Sequence, residues 1–523
     1  MKFFFSEVYS LLTDFSLDKK PNREKAIKIS LYGGYFIFLF TIIQGILLVP
    51  LYLNFLGERI YGLWLATGGM VSWLVFLDLG LASLIIQKTA NQYGKGHLQN
   101  ASKYFFNGFF IHIFGIVIVT SGGFASSLLI DRVFDLSNEE LNLIQNCYFI
   151  SLAALGLNLL NNGVEGFITA LQKTLIPKIA RIIAAILGIF SILLLLYQDY
   201  GLYALPIGIL INVAVTFIFN FSYIIILLEK SNLLNIELDK NVLVEYLKLT
   251  PPIFIARFAG AVALNLEPII IASLIRPELT VYYDLTKKGA AITKLLLDKF
   301  SGSFNPAFSH LFGEGNLEKS RKVFLSYIEG LFSLSLIGYC CYFLFNDAFI
   351  HYWVGSQNYL GHTMTILLAV SSFLFFFSNT LNYLLNCTGD FKYPAMISFF
   401  ESILKIILIF VCIKLLGIIG LPIAIIFTSI PFLLINLARW KKNLAIKFDP
   451  NKFKKTLLLF LMLVIITASL KYWSFLINYN IFLLTLTFVV FVVMQLIVAM
   501  NYSFLLKRQF LKLRKLSFFK NTH

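Results

Sequence analysis

Apolar runs of about 20 residues recur along the chain, separated by short polar connections. Wound as a helix, such a run crosses the roughly 30 Å hydrocarbon core of a bilayer. The pattern predicts fourteen spans, over 29–54, 60–89, 104–130, 142–170, 177–198, 202–228, 250–275, 281–308, 323–346, 361–386, 394–414, 417–438, 456–474 and 480–506. The expected fold class is an all-α polytopic membrane protein. Residues 1–28 lack a compact apolar stretch followed by a small-residue cleavage site, so no cleavable signal is expected there. Phe3, Phe4, Phe5, Tyr9, Leu11, Leu12 and Phe15 give that segment the pattern of an interfacial amphipathic helix.

The polar connections differ in charge from one side to the other. With an even number of spans both termini share a side, and that side carries about 32 of the 43 Lys and Arg residues. Lys19, Lys20, Arg23, Lys25 and Lys28 precede the first span; Arg439, Lys441, Lys442, Lys447, Lys452, Lys454 and Lys455 fill the loop after the twelfth. Lys507, Arg508, Lys512, Arg514 and Lys515 follow the last span. The opposite connections hold only Arg59, Arg132, Arg276 and Lys471. Under the positive-inside rule both termini are expected in the cytoplasm. The net charge of +16 then reads as orientation signal and anionic-lipid contact, and a nucleic-acid partner is not expected because no soluble basic domain is present.

Composition agrees: 58% of residues are hydrophobic and 13% charged, too few charges to cover a water-soluble surface. Cys147, Cys340, Cys341, Cys387 and Cys412 lie in or beside apolar runs without a CxxC pair or His cluster, so neither disulfide nor metal is expected. The far-side loops are short, the largest near 347–361, leaving no room for the catalytic domain of a membrane polymerase or glycosyltransferase. No GxxxxGK[ST] stretch is present for nucleotide binding. The chain is therefore read as a transporter rather than an enzyme, with no cofactor beyond a coupling H+ or Na+.

The chain also repeats itself. Gly94-Lys95-Gly96-His97-Leu98 matches Gly313-Glu314-Gly315-Asn316-Leu317, Pro177 matches Pro394, and Gly201-Leu202-Tyr203-Ala204-Leu205-Pro206 matches Gly417-Ile418-Ile419-Gly420-Leu421-Pro422. The offset is close to 217 residues (394 − 177) each time, and six spans separate the copies. Copies of equal topology form a parallel repeat about the membrane normal. The organisation expected is a first lobe over 29–228, a linker over 229–249, a second lobe over 250–438, a basic loop over 439–455, two further spans over 456–506 and a basic tail over 507–523.

Ionisable residues at membrane depth are costly and mark candidate function. Asp78, His112, Glu165, Arg181, Arg257, Glu267 and the spaced pair Glu401 and Lys405 each lie within a predicted span. The eighth span holds Lys287, Lys288, Lys294, Asp298 and Lys299. Four lysines beside one carboxylate exceed local pairing and predict a hydrated cationic cavity, shared with Arg257, for an anionic substrate. Asp78, Glu267, Asp298, Arg181 and Lys405 are candidates for ion coupling or for lining that cavity. Each also has a plain structural reading, as a local ion pair or a side chain reaching toward the interface. Tyr282, Tyr283, Asn305, Asn379, Asn382, Tyr383 and Asn386 supply aromatic faces and amides of the kind sugar rings use.

Leu56-Gly57-Glu58-Arg59-Ile60-Tyr61-Gly62-Leu63-Trp64, then Trp73 and Phe76-Leu77-Asp78-Leu79-Gly80-Leu81, resembles the start of the Wzx-type polysaccharide flippases of the MOP exporter superfamily. Asn305-Pro306, Gly313-Glu314-Gly315-Asn316 and Tyr352-Trp353-Val354-Gly355 resemble later family segments, so the resemblance spans roughly 30–440. It implies a V-shaped fold of twelve helices plus two, and flipping of an undecaprenyl-pyrophosphate-linked oligosaccharide across the bacterial inner membrane. It also implies work beside a polysaccharide polymerase or other assembly proteins. Asp78 matches the family's Asp-x-Gly, without a role attached. The alternative is a multidrug or cation antiporter of the MATE type, which would call for an acidic cavity.

Overall fold

The computed structural model describes residues 23–74, 81–233, 237–302, 304–390, 392–446 and 469, and every regular element among them is helical. The helices are α1 Arg23–Leu74, α2 Leu81–Gly94, α3 Leu98–Val133, α4 Asn138–Ala170, α5 Leu175–Tyr197, α6 Ala204–Lys230, α7 Lys240–Leu274, α8 Pro277–Gly302, α9 Asn305–Gly313, α10 Leu317–Val354, α11 His362–Leu384, α12 Lys392–Leu416 and α13 Gly420–Asn443. The amphipathic segment expected before the first span, Asp78, the spans expected at 456–474 and 480–506, and the basic tail lie outside the described residues.

Eight stretches among the described residues are long and apolar enough to cross a membrane. Their outward faces carry Phe114, Phe124, Leu128, Phe190, Phe400, Phe427 and Leu434 exposed, which suits lipid and not water. The break expected between the first two spans is present inside α1, where Gly57 leaves the helical conformation with φ 73 and ψ 167, which a Cβ would oppose. Other helices overrun their expected spans into polar sequence. α7 begins at Lys240 and α10 at Leu317, because a helix does not stop where the apolar run stops. α4 starts on a legible signal: Ser137 accepts from the Glu140 backbone N–H while the Glu140 carboxylate accepts from Ser137 N, a closed capping box.

The chain divides into two compact units, Met1–Thr280 and Val281–His523. In the first, α6 packs on α4 and α5, α3 packs on α2 and α4, and α1 packs on α7. Close helix approach is paid for with glycine: a Cβ on Gly62 would sit 2.0 Å from the Pro277 carbonyl oxygen, and one on Gly208 would sit 2.2 Å from Ile192 Cγ1. One core gathers Leu63, Tyr148, Leu152 and Leu205; another gathers Phe105, Phe167, Ile224 and Tyr246, with Phe105 and Phe167 stacked at 4.3 Å. In the second unit α13 packs on α11 and α12, and α10 packs on α11. That is the α4–α5–α6 arrangement repeated.

The sequence repeat recurs in backbone detail. Gly201 (φ 54) and Gly417 (φ 62) each open a one-turn 3-10 helix that runs into α6 or α13, with Pro206 and Pro422 in the first turn. Gly96 and Gly315 share positive φ before α3 and α10. Side chains follow the same register. Asn220 on α6 donates to Asn161 Oδ1 on α4 at 3.0 Å, while Asn436 on α13 donates to the Ser378 carbonyl on α11 at 3.2 Å. Arg181 on α5 meets Glu165 on α4 at 2.8 Å, while Asn382 on α11 donates to Ser398 Oγ on α12 at 2.8 Å. Position for position these pairs differ by 216 or 217 residues.

Candidate functional site

Helix α8 has 26 residues, enough for about 39 Å, yet its charge keeps it from qualifying as an apolar span. Its two faces explain why. One buries Leu285, Thr286, Ala290 and Leu297 at helical spacing and packs on α10. The Thr286 carbonyl accepts from Tyr342 Oη at 2.8 Å and from Asn346 Nδ2 at 3.0 Å, and Ser301 Oγ accepts from Tyr327 Oη at 2.8 Å. Thr286 Oγ1 also accepts from the Leu360 backbone N–H at 3.2 Å. Gly289 and Gly338 let Tyr342 and Thr293 approach the facing backbones. These contacts fix the rotation of α8 about its own axis.

The other face carries Asp284, Lys287, Lys288, Lys294 and Asp298, all partly exposed, with Lys299 exposed at its end. Lys294 donates to Asp298 Oδ2 at 2.6 Å, and Lys288 lies 3.6 Å from Asp284 Oδ2. Lys287 Nζ sits over the Tyr283 ring, 5.5 Å from its centroid. Within α8 itself two aspartates, Asp284 and Asp298, pair with lysines, where the sequence reading counted only Asp298. Both pairs are i,i+4, so Asp284 was available to that reading. Four lysines and two aspartates lie on this face.

The remaining sequence candidates separate. Arg181 is half exposed and bridges to Glu165 inside the first unit. Glu267 is buried on α7, in the first unit. Arg257 lies on α7 with its side chain outside the described residues. Lys405 and Glu401 are both buried on α12, one turn apart, in the second unit. Lys405 Nζ lies 5.1 Å from the Phe375 ring centroid, and Ser378 Oγ donates to Glu401 at 3.5 Å. His112, buried on α3, meets the Gly108 carbonyl through Nδ1 at 3.0 Å. Among the described residues no cluster of His, Cys, Asp and Glu has metal-binding geometry.

Two further charged clusters were missed. Arg59, just past the Gly57 bend, holds Glu140 at 2.6 Å, the Asp135 carbonyl at 3.0 Å and Glu278 at 3.5 Å, joining three segments of the first unit. The other fastens the start of α7: Lys88 and Tyr104 Oη both donate to the Glu245 carboxylate, Lys103 pairs with Asp239 at 2.7 Å, and Asn107 donates to the Glu237 carbonyl while accepting from Asp239 N. The hydrogen bond from Lys88 holds the Glu245 carboxyl below the usual range, and that from Lys103 does the same for Asp239. Partners this far apart in sequence leave no periodic signal; only the opposed charges hint at them.

A family model, MatE, matches residues 290–411. No curated protein sequence matches the chain. Solved structures do. An inward-facing multidrug resistance MATE family transporter of the MOP superfamily is 14% identical, with 76% of this chain and 93% of that one covered and a TM-score of 0.60. The lipid II flippase MurJ, in an inward closed conformation, is 15% identical, with 86% and 98% covered and a TM-score of 0.59. A MOP superfamily transporter from Pyrococcus furiosus, whose binding pocket is described as of reverse polarity, is 14% identical, with 83% and 98% covered and a TM-score of 0.59. At this identity the likeness is one of fold: the all-helical fold of MATE and MOP transporters.

Proposed function

We propose that the chain is a flippase that carries a lipid-linked oligosaccharide, joined through pyrophosphate to a polyprenyl carrier, across the bacterial inner membrane. The observation that carries this reading is the α8 face. A helix of spanning length, held by one side to α10, presents four lysines and two aspartates on its other face, charge that lipid would not accept. Lys287 and Lys294 are seven residues apart, about 10 Å along the helix, a spacing suited to an extended diphosphate and anionic sugars rather than to one small ion. The polyprenyl tail is assigned to lipid. The fold shared with a lipid II flippase supports a lipid-linked substrate. Both termini are assigned to the cytoplasm on the basic-residue count, so the membrane potential favours outward movement of an anion by about 2.3 kcal/mol per charge per 100 mV.

The competing reading, a multidrug or cation antiporter, draws on the fold shared with MATE transporters. A net cationic face opposes a cationic drug, and the two readings part in one assay. In vesicles containing a fluorescent lipid-linked oligosaccharide, Lys294→Ala with Lys287→Ala is expected to lower flipping at least about tenfold. Asp298→Asn, which releases Lys294 from its partner, is expected to retain it. If the lysines only neutralise the aspartates, the lysine and aspartate variants lose function alike. Efflux of a cationic dye with no oligosaccharide flipping would establish the antiporter instead.

A further inference from the structure

The first unit carries, between α5 and α6, a polar aromatic turn that the substrate reading does not use. The chain there runs Tyr197-Gln198-Asp199-Tyr200, and all four residues are exposed, Tyr197 by 70% and Tyr200 by 53%. The turn is closed by its own backbone. Tyr200 N–H reaches the Leu195 carbonyl at 3.1 Å and Asp199 N–H the Leu196 carbonyl at 3.2 Å, with Asp199 at φ 60. This is the Schellman closure of a helix end, with Asp where glycine is usual. The Phe55 ring of α1 meets Tyr197 in a T-shaped contact, 5.3 Å between centroids, and Asn146 of α4 donates to Tyr203 Oη at 3.1 Å. A tyrosine anchored on one side and otherwise in solvent offers ring surface at little conformational cost, and amides and a carboxylate beside it exchange hydrogen bonds with hydroxyls. A pyranose presents the matching chemistry, an apolar face bordered by hydroxyls.

The second unit has the same turn with other contents. At an offset of 216 residues (417 − 201), Tyr197, Tyr200 and Tyr203 become Ile413, Leu416 and Ile419, and Gln198-Asp199 becomes Lys414-Leu415. Leu415 is 76% and Leu416 50% exposed, and Leu415 does not take a positive φ. The turn can therefore be built from aliphatic residues and one lysine, so joining the two helices calls for neither the tyrosines nor Asp199. Tyrosines alone would suit an interfacial belt, but Gln198 and Asp199 gain nothing from lipid. The stretch Tyr197–Tyr200 contains no cation, which disfavours a pyrophosphate or an anionic lipid headgroup there. We propose that Tyr197–Tyr200, with Asn146 tied in through Tyr203, is a binding platform for uncharged sugar units, which receives the glycan as it emerges from the membrane. This rests on the flippase reading and on the orientation assigned with it, under which the end of α5 faces away from the cytoplasm.

The test is saturation-transfer NMR on the purified full chain in detergent, with the oligosaccharide freed from the host's own polyprenyl carrier by mild acid. Flipping of the lipid-linked form is measured alongside in vesicles. The native protein is expected to transfer saturation to the free oligosaccharide. Tyr197→Ala with Tyr200→Ala is expected to weaken binding at least about tenfold. Its melting temperature should stay within about 2 °C of native, because both rings lie largely in solvent. Tyr197→Phe with Tyr200→Phe keeps the ring faces and is expected to bind within about threefold of native. Asp199→Gly suits the positive φ and removes only the carboxylate, so it is expected to fold and to bind about threefold or more weakly. The proposal alone is overturned if native protein that flips the lipid-linked form gives no transfer, or if the double alanine variant binds undiminished. Loss of binding in Lys287→Ala with Lys294→Ala, with the tyrosine variants unaffected, also overturns it, by placing the sugar at α8. Native protein that flips nothing overturns the flippase reading, and the platform with it.

Discussion

The α4–α5–α6 group of the first unit and the α11–α12–α13 group of the second share a backbone plan but not a charge plan. Both enter the last helix through a glycine-started 3-10 turn, and both tie that helix to the first of the three through an asparagine, Asn220 or Asn436. Where the first places its ion pair, Glu165 with Arg181, the second has the neutral Asn382 with Ser398. Where the first has Ala184 and Gly188, the second has Glu401 and Lys405. A hydrogen bond can thus take over the position of a salt bridge, and a glycine contact that of a buried pair, while the helices stay in register. The repeat keeps the joints and differs in its polar contents.

Exchanging contents between the copies is the severest test. Gly188→Lys places a long side chain where a Cβ already meets the α6 backbone, and is expected to cost about 3 kcal/mol or more, seen as loss of folded protein in detergent. If it folds normally, the two sites are not shaped differently. Next come the shared asparagines. Asn220→Ala strands the Asn161 amide oxygen and Asn436→Ala removes a buried hydrogen bond to the Ser378 carbonyl; each is expected to cost about 1–3 kcal/mol, with similar drops in melting temperature in the two copies. A large difference between them would break the equivalence of the joints.

The exposed first-unit pair is expected to matter less. Arg181→Ala should cost under about 1 kcal/mol, because its guanidinium is half in solvent and screened. The smallest effect belongs to the fastening of α7, which has no counterpart in the comparison. Glu245 and Asp239 are held below their ordinary range, so their stabilisation is complete above pH about 4 and falls away as pH drops through the depressed values. Melting temperature should therefore be flat near neutrality and decline in acid, less steeply in Glu245→Gln.

The repeat was legible because glycine, proline and asparagine mark helix ends through backbone geometry, and Gly201, Gly417, Pro206 and Pro422 keep that role in the structure. Among the described residues, hydrophobic runs located the spans and left the gap between 54 and 60 where the chain breaks at Gly57, but an apolar pattern carries no record of the φ that makes the break. On α8 the lysines were legible and their containment was not: Asp284 was passed over although one turn from Lys288. Arg59 read as a stray outer charge, whereas it binds Glu140, 81 residues away. Contacts closed by tertiary packing leave no spacing to read.

The contact between Gly62 and Pro277 has a consequence for inheritance. Every amino acid other than glycine brings a Cβ, and at residue 62 that atom would stand 2.0 Å from a backbone oxygen, which cannot rotate away as a side chain would. Every missense change in that codon therefore makes the same error, whatever the chemistry of the new residue. In a scan of all substitutions, residue 62 should behave as a position with one permitted letter, while Gly34 and Gly45, with open space around them, should accept apolar residues of any size.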